Sequence, residues 1–73
     1  MNVSIKYCVV WNYEPRALSL REELDLAFSD IIVEHVPGAR GSFEVIVDDM
    51  LVFSNLELDR FPENGEIVKL INK

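Results

Sequence analysis

The chain has 73 residues, of which 49% are apolar; it is too apolar for a disordered segment, sits near the small end of what folds without disulfides or metal, and reads as one domain over residues 1–73. Thirteen acidic residues against seven scattered basic ones give a formal charge of −6, so the concentrated Lys and Arg that phosphate binding requires are absent and nucleic acid is not an expected partner. No apolar run approaches the ~18 residues of a membrane span, and "MNVSIKYCVVW" lacks the basic start and small-residue cleavage site of a leader, which makes a soluble, cytoplasmic protein with no membrane partner the expectation.

Residues 3 to 7 alternate Val3, Ile5 and Tyr7 with Ser4 and Lys6, the period-two pattern of a strand with one buried face. From Pro15 to about Phe28, Ala17, Leu20, Leu24, Ala27 and Phe28 recur at helical spacing, with Arg16, Ser19, Glu22, Glu23 and Asp25 on the other side. Pro15 suits a first turn, where a missing N–H costs nothing, and Leu18 and Leu26 stray from the apolar stripe. "IIVEHV", from Ile31, is β-branched and mostly apolar, and reads as a second strand covered on both faces. "SFEVIVDDMLVFS" holds two apolar runs joined by Asp48-Asp49, a two-residue hairpin whose turn favours positive φ. "PGARG", ahead of it, is a turn with glycines where positive φ is needed. Ile67, Leu70 and Ile71 follow helix-start chemistry at Pro62 to Asn64 and predict a second helix.

The order βαβββα is that of an α+β two-layer sandwich, with a four-stranded mixed sheet and both helices on one face. A strand, helix, strand unit with parallel strands crosses over right-handed, and the loop from the first strand to the first helix leaves the carboxyl end of a strand, where open sheets place function.

That loop holds the single cysteine, Cys8. One cysteine forms no internal disulfide, and a free thiol fits a reducing compartment. Among Val9, Val10 and Trp11 it reads, on pattern alone, as a small buried hydrophobe; its position ahead of a helix amino terminus favours the thiolate instead. Glu14 opposes that charge, and no Lys or His stands adjacent in sequence to offset it. Trp11 reads first as an apolar cap on the core edge, and alternatively as a contact face or a shield for the thiol. Tyr13 reads as an anchor at the helix start. His35, alone in an apolar strand, reads as a hydrogen-bonded sheet residue, with no second His or Cys at metal-ligand spacing. The carboxylate pairs Glu22-Glu23, Asp48-Asp49 and Glu57-x-Asp59 read as solvated surface, and no phosphate-binding glycine loop or nucleophile elbow is present.

"YCVVWNY", the helix behind it, "GSFEVIVDDMLVFS" and "RFPENGEI" resemble the selenoprotein W family of thioredoxin-like proteins, also called the Rdx or SelT/SelW/SelH family. The resemblance runs nearly the whole chain and rests chiefly on the Cys-x-x-x-x-Tyr spacing of Cys8 and Tyr13, the strand Gly41 to Val45, and Arg60-Phe61-Pro62. It implies a thioredoxin-like sandwich with a redox loop at Cys8, Val9, Val10, Trp11 and Tyr13. Members usually carry Cys-x-x-Cys or Cys-x-x-selenocysteine there; Cys8 matches the first position and Trp11 occupies the second.

With no resolving thiol, a dithiol cycle within one chain is excluded, and the resemblance implies a lone nucleophile at Cys8. Its partners would be protein thiols or glutathione, the latter as co-substrate, with no other cofactor and no metal. Two alternatives stand beside this: a non-enzymatic interaction module with an apolar patch of Val9, Val10 and Trp11, and a homodimer. Pro37 lies too far ahead of the third strand to be assigned the cis-proline role found in thioredoxin-like folds.

Overall fold

The protein is described by a computed structural model covering residues 1–72. Strand β1 (Asn2–Tyr7) leads to helix α1 (Glu14–Ala27), which is followed by β2 (Ile32–Pro37), β3 (Phe43–Val47), β4 (Met50–Ser54), a one-turn helix α2 (Asn55–Leu58) and α3 (Glu66–Ile71). The sheet order is β2-β1-β3-β4. β1 runs parallel to β2 and antiparallel to β3, and β3 pairs antiparallel with β4. The mixed four-stranded sheet expected from sequence is therefore present, with three helices rather than two.

The alternation in β1 sends Val3 and Ile5 inward, and their register partners Val45 on β3 and Val33 on β2 share that face. Ala17, Leu20 and Leu24 of α1, Ile67 of α3, and Phe43 and Phe53 close the core over it. Fully burying an aliphatic or aromatic side chain of this size contributes about 1.5–3 kcal/mol, so this one layer accounts for most of the driving force. α1 packs on both β1 and α3, which places both helices on one face as expected. Leu18 and Leu26 lie outside the stripe, exposed. Ala27, read as part of the stripe, is also exposed, because α1 ends there and only Phe28 folds back onto the core.

β2 is not covered on both faces. It is an edge strand with Ile32 64% exposed and Glu34 open to solvent, since the helices cover one face and only β1 pairs with it. His35, on the face shared with Ile5, is not hydrogen-bonded through its ring as expected: Nε2 is buried without a partner, and the ring meets Tyr7 edge-on at 6.1 Å.

The hairpin turn at Asp48-Asp49 has φ of 46° and 70°, the doubly left-handed geometry that matches the twist of two antiparallel strands. Asp48 does more than tolerate it. Its Oδ1 accepts the Asn2 N–H at 2.9 Å, and its own N–H donates to the Asn2 carbonyl at 2.9 Å, clamping the turn to the start of β1. In the earlier turn, Gly41 takes positive φ (77°), but Gly38 does not; a Cβ there would stand 2.5 Å from Ser42 Oγ, so close approach rather than handedness calls for glycine.

α3 starts later than its Pro62 to Asn64 signal, behind Gly65 in a left-handed conformation. Glu23, read as solvated surface, reaches across from α1 so that both its oxygens accept the Gly65 N–H at 3.0 Å. Arg60 forks onto Glu66 through two bonds of 2.7 Å. That guanidinium, with the Glu63 N–H, holds the Glu66 carboxyl down to a pKa of about 2.

Candidate functional site: a thiol cradled by backbone amides

Cys8 directly follows β1 and is fixed at both backbone groups. Its N–H donates to the Ser42 carbonyl at 2.9 Å, extending the pairing toward β3, and its carbonyl accepts the Tyr13 N–H at 3.0 Å. Between them the chain turns tightly: Asn12 donates to the Val9 carbonyl at 3.0 Å and adopts a φ of 56°, a left-handed position that asparagine tolerates better than most residues. The turn brings the Trp11 N–H onto Cys8 Sγ at 3.3 Å.

Cys8 is 1% exposed, and burial pushes its thiol pKa up. The backbone N–H groups of Gly41, Trp11 and Val10, together with the Arg40 guanidinium, outweigh that, so the thiol lies below its ordinary value. The expected ingredients are thus corrected in two ways. The stabilising amides belong to the loop itself and to Gly41 on the β2–β3 connection, not to the first turn of α1. The cation is Arg40, which sequence adjacency could not reveal. Glu14, expected to oppose the thiolate, accepts the Tyr7 hydroxyl at 3.4 Å.

The loop residues after Cys8 stand out in solvent, with Val9 58%, Val10 72% and Trp11 54% exposed. Trp11 is therefore not the core cap read from sequence. Its ring lies across Gly41, where a Cβ would come within 2.9 Å of it, and meets Tyr13 edge-on at 6.1 Å. Tyr13 continues the run to Phe61 at 4.9 Å, and Phe61 to Phe43 at 5.4 Å; Arg16 stacks 3.8 Å over Phe61. Tyr13 also anchors the helix as expected, its carbonyl accepting the Arg16 and Ala17 N–H groups at 3.1 and 3.2 Å.

Asn55, which drew no attention in the sequence, ties these parts together. From the start of α2 its Oδ1 accepts the Phe43 N–H, and its Nδ2 donates to the Gly41 carbonyl at 2.7 Å. One side chain thereby ties Gly41, which Trp11 covers, to the first residue of β3. Among the described residues no three His, Cys, Asp or Glu side chains come together as a metal site.

A buried thiol at the carboxyl end of β1, in an α+β sandwich with helices on one face, gives a thioredoxin-like fold with a single cysteine. The chain belongs to the Rdx family, whose sequence profile matches residues 2–73. It is 27% identical to migration and invasion enhancer 1 of Bos taurus and, equally, of Mus musculus, over all of this chain and 64% of theirs; it spans less than two thirds of the length of these relatives. A selenoprotein W-related protein from Vibrio cholerae has the same fold, with a TM-score of 0.86 at 23% identity over 97% of this chain and 91% of that one. A protein from Bordetella parapertussis reaches 0.89 at 23% identity, over 97% and 92%. No helix among the described residues is long and apolar enough to cross a membrane.

Proposed function

We propose that the chain is a redox protein of the selenoprotein W type that works through Cys8 alone, by reversible mixed disulfides with glutathione or protein thiols. The observation that carries this is the Trp11 N–H held on Cys8 Sγ at 3.3 Å, at a thiol that the neighbouring amides and the Arg40 guanidinium hold below its ordinary pKa. In the forward step the Cys8 thiolate attacks one sulfur of oxidised glutathione. The S–S bond breaks, one glutathione leaves as thiolate and takes a proton from solvent, and Cys8 is left as the mixed disulfide. A reduced glutathione then attacks the glutathionyl sulfur, releasing the Cys8 thiolate and oxidised glutathione. Trp11 supplies no resolving thiol, so the second step always draws on an outside one. Because Cys8 is buried, exchange requires the residues around it to yield, and a reducing compartment such as the cytoplasm suits the resting thiol.

Incubated with oxidised glutathione, the native protein is expected to gain one glutathione and lose it to excess reduced thiol, read by intact mass. Cys8→Ser is expected to abolish the adduct while keeping the native circular dichroism spectrum. A thiol that stays unmodified until denaturant is added removes this reading. The second reading would then lead: a non-enzymatic interaction module, favoured by the exposed apolar patch of Val9, Val10 and Trp11.

A further inference from the structure

We propose that the groove between α1 and the segment Phe61 to Gly65 docks an extended, Lys- or Arg-bearing segment of a partner polypeptide. The groove has a volume of about 580 Å³, inside the ~300–1,000 Å³ range of small-molecule sites, which admits a few side chains of a partner rather than a folded surface. Cys8 takes no part in lining it, so the inference is independent of the redox reading.

The floor of the groove is apolar and its rim is acidic. The buried side chains of Leu20 and Phe43 lie at the bottom, and half-buried Phe61 and Pro62 form one wall. The other wall is a second stripe of α1: Ser19, Glu22, Glu23 and Leu26 line the groove and fall at i, i+3, i+4 and i+7, so they share one helix face. Leu26, 90% exposed, strays from the core stripe but belongs to this one. The two walls are already clamped together. Glu23 accepts the Gly65 N–H with both oxygens and Arg16 stacks over Phe61, so docking costs little ordering of the site.

Those two clamps occupy one carboxylate and the one guanidinium of the groove. Glu22 on α1 and Glu63 on the facing segment are exposed and make no ion pair among the described residues, which leaves one uncommitted carboxylate on each wall. Lys and Arg carry their charge at the end of an aliphatic stem, and such a stem lies along apolar surface while its head stays at the wet edge. An apolar floor between two carboxylates is complementary to that shape and charge, whereas an acidic segment would be repelled by both walls.

The test is a titration of isotope-labelled native protein, followed by amide chemical shifts, with three blocked pentapeptides: Gly-Lys-Leu-Lys-Gly, Gly-Glu-Leu-Glu-Gly and Gly-Lys-Ser-Lys-Gly. The first is expected to move the amides of Ser19, Glu22, Leu26 and Glu63 saturably, binding about tenfold more tightly than the acidic peptide and about fivefold more tightly than the serine peptide, with the first ratio shrinking at high salt. Glu22→Gln combined with Glu63→Gln is expected to weaken it about fivefold, and Leu26→Ser, which leaves the charges in place, about threefold. A basic peptide that binds no better than the acidic one, that moves other amides instead, or that keeps its affinity in the double Gln variant overturns the assignment. Movement of the same amides on raising the protein concentration without peptide would give the groove to a second copy of the chain, and overturns it equally.

Discussion

Asn55→Ala is expected to destabilise the protein by about 2 kcal/mol and to raise the pKa of Cys8, although position 55 does not touch the sulfur. The side chain satisfies two backbone groups, the Phe43 N–H and the Gly41 carbonyl, in a part-buried site. Truncation leaves one donor and one acceptor without partners, each costing about 1–3 kcal/mol less whatever water recovers. For a domain of this size that corresponds to a fall of about 10 °C in melting temperature. The second effect follows from the first. With its carbonyl released, Gly41 is free to shift, and the thiolate loses the stabilisation that the Gly41 backbone gives it. Thermal unfolding by circular dichroism and the pH profile of alkylation read the two effects separately. A variant that melts within about 2 °C of native contradicts the role assigned to Asn55.

Trp11→Cys is expected to turn a monothiol protein into one that cycles between dithiol and disulfide. The turn already brings the position 11 N–H to 3.3 Å from Cys8 Sγ, and residues three apart in such a turn approach the Cα and Cβ separations a disulfide needs. The indole is 54% exposed, so its loss forfeits the edge contact with Tyr13 and the cover over Gly41 rather than a core side chain, and the fold is expected to survive. With oxidised glutathione, the mixed disulfide at one sulfur would be displaced by the other. Two electrons pass to the oxidant and two reduced glutathiones are released per chain. Mass spectrometry would show a loss of two hydrogens and no lasting adduct, in contrast to the single persistent glutathione on the native protein. Accumulation of the adduct in a folded variant contradicts the geometry of the turn.

The parts of the fold written in local periodicity were legible. β1, α1 and the hairpin each carry their pattern within a few residues, and the turn at Asp48-Asp49 follows from its two-residue spacing. What escaped the sequence depends on distant neighbours. "IIVEHV" has the composition of a central strand, yet the sheet order leaves β2 at an edge, and nothing within the six residues distinguishes the two. α2 is a single turn, "NLEL", too short to show a helical period. The cysteine was visible, but its cradle was not. Gly41, Arg40 and Asn55 come from the connection before β3 and the end of β4, and only the antiparallel pairing of β3 with β1 and β4 brings them to the loop. Glu23 likewise looks like any surface carboxylate until α3 is seen to need a partner for Gly65. A lone apolar aromatic such as Trp11 suggests the core; in the fold it lies across a glycine that has no side chain to fill the space.

The central claim is that Cys8 is held toward its thiolate by the amides of Gly41, Trp11 and Val10 and by Arg40. The rate of alkylation of the folded native protein by iodoacetamide, followed from pH 5 to pH 10, tests it most directly. Because only the thiolate reacts, the rate rises through the thiol's pKa and then levels. The predicted midpoint lies below the ~8.5 of an unperturbed cysteine, and denaturation in urea is expected to move it up to that value. A midpoint at or above ~8.5 in the folded protein, or a thiol that reacts only after unfolding, would contradict the account.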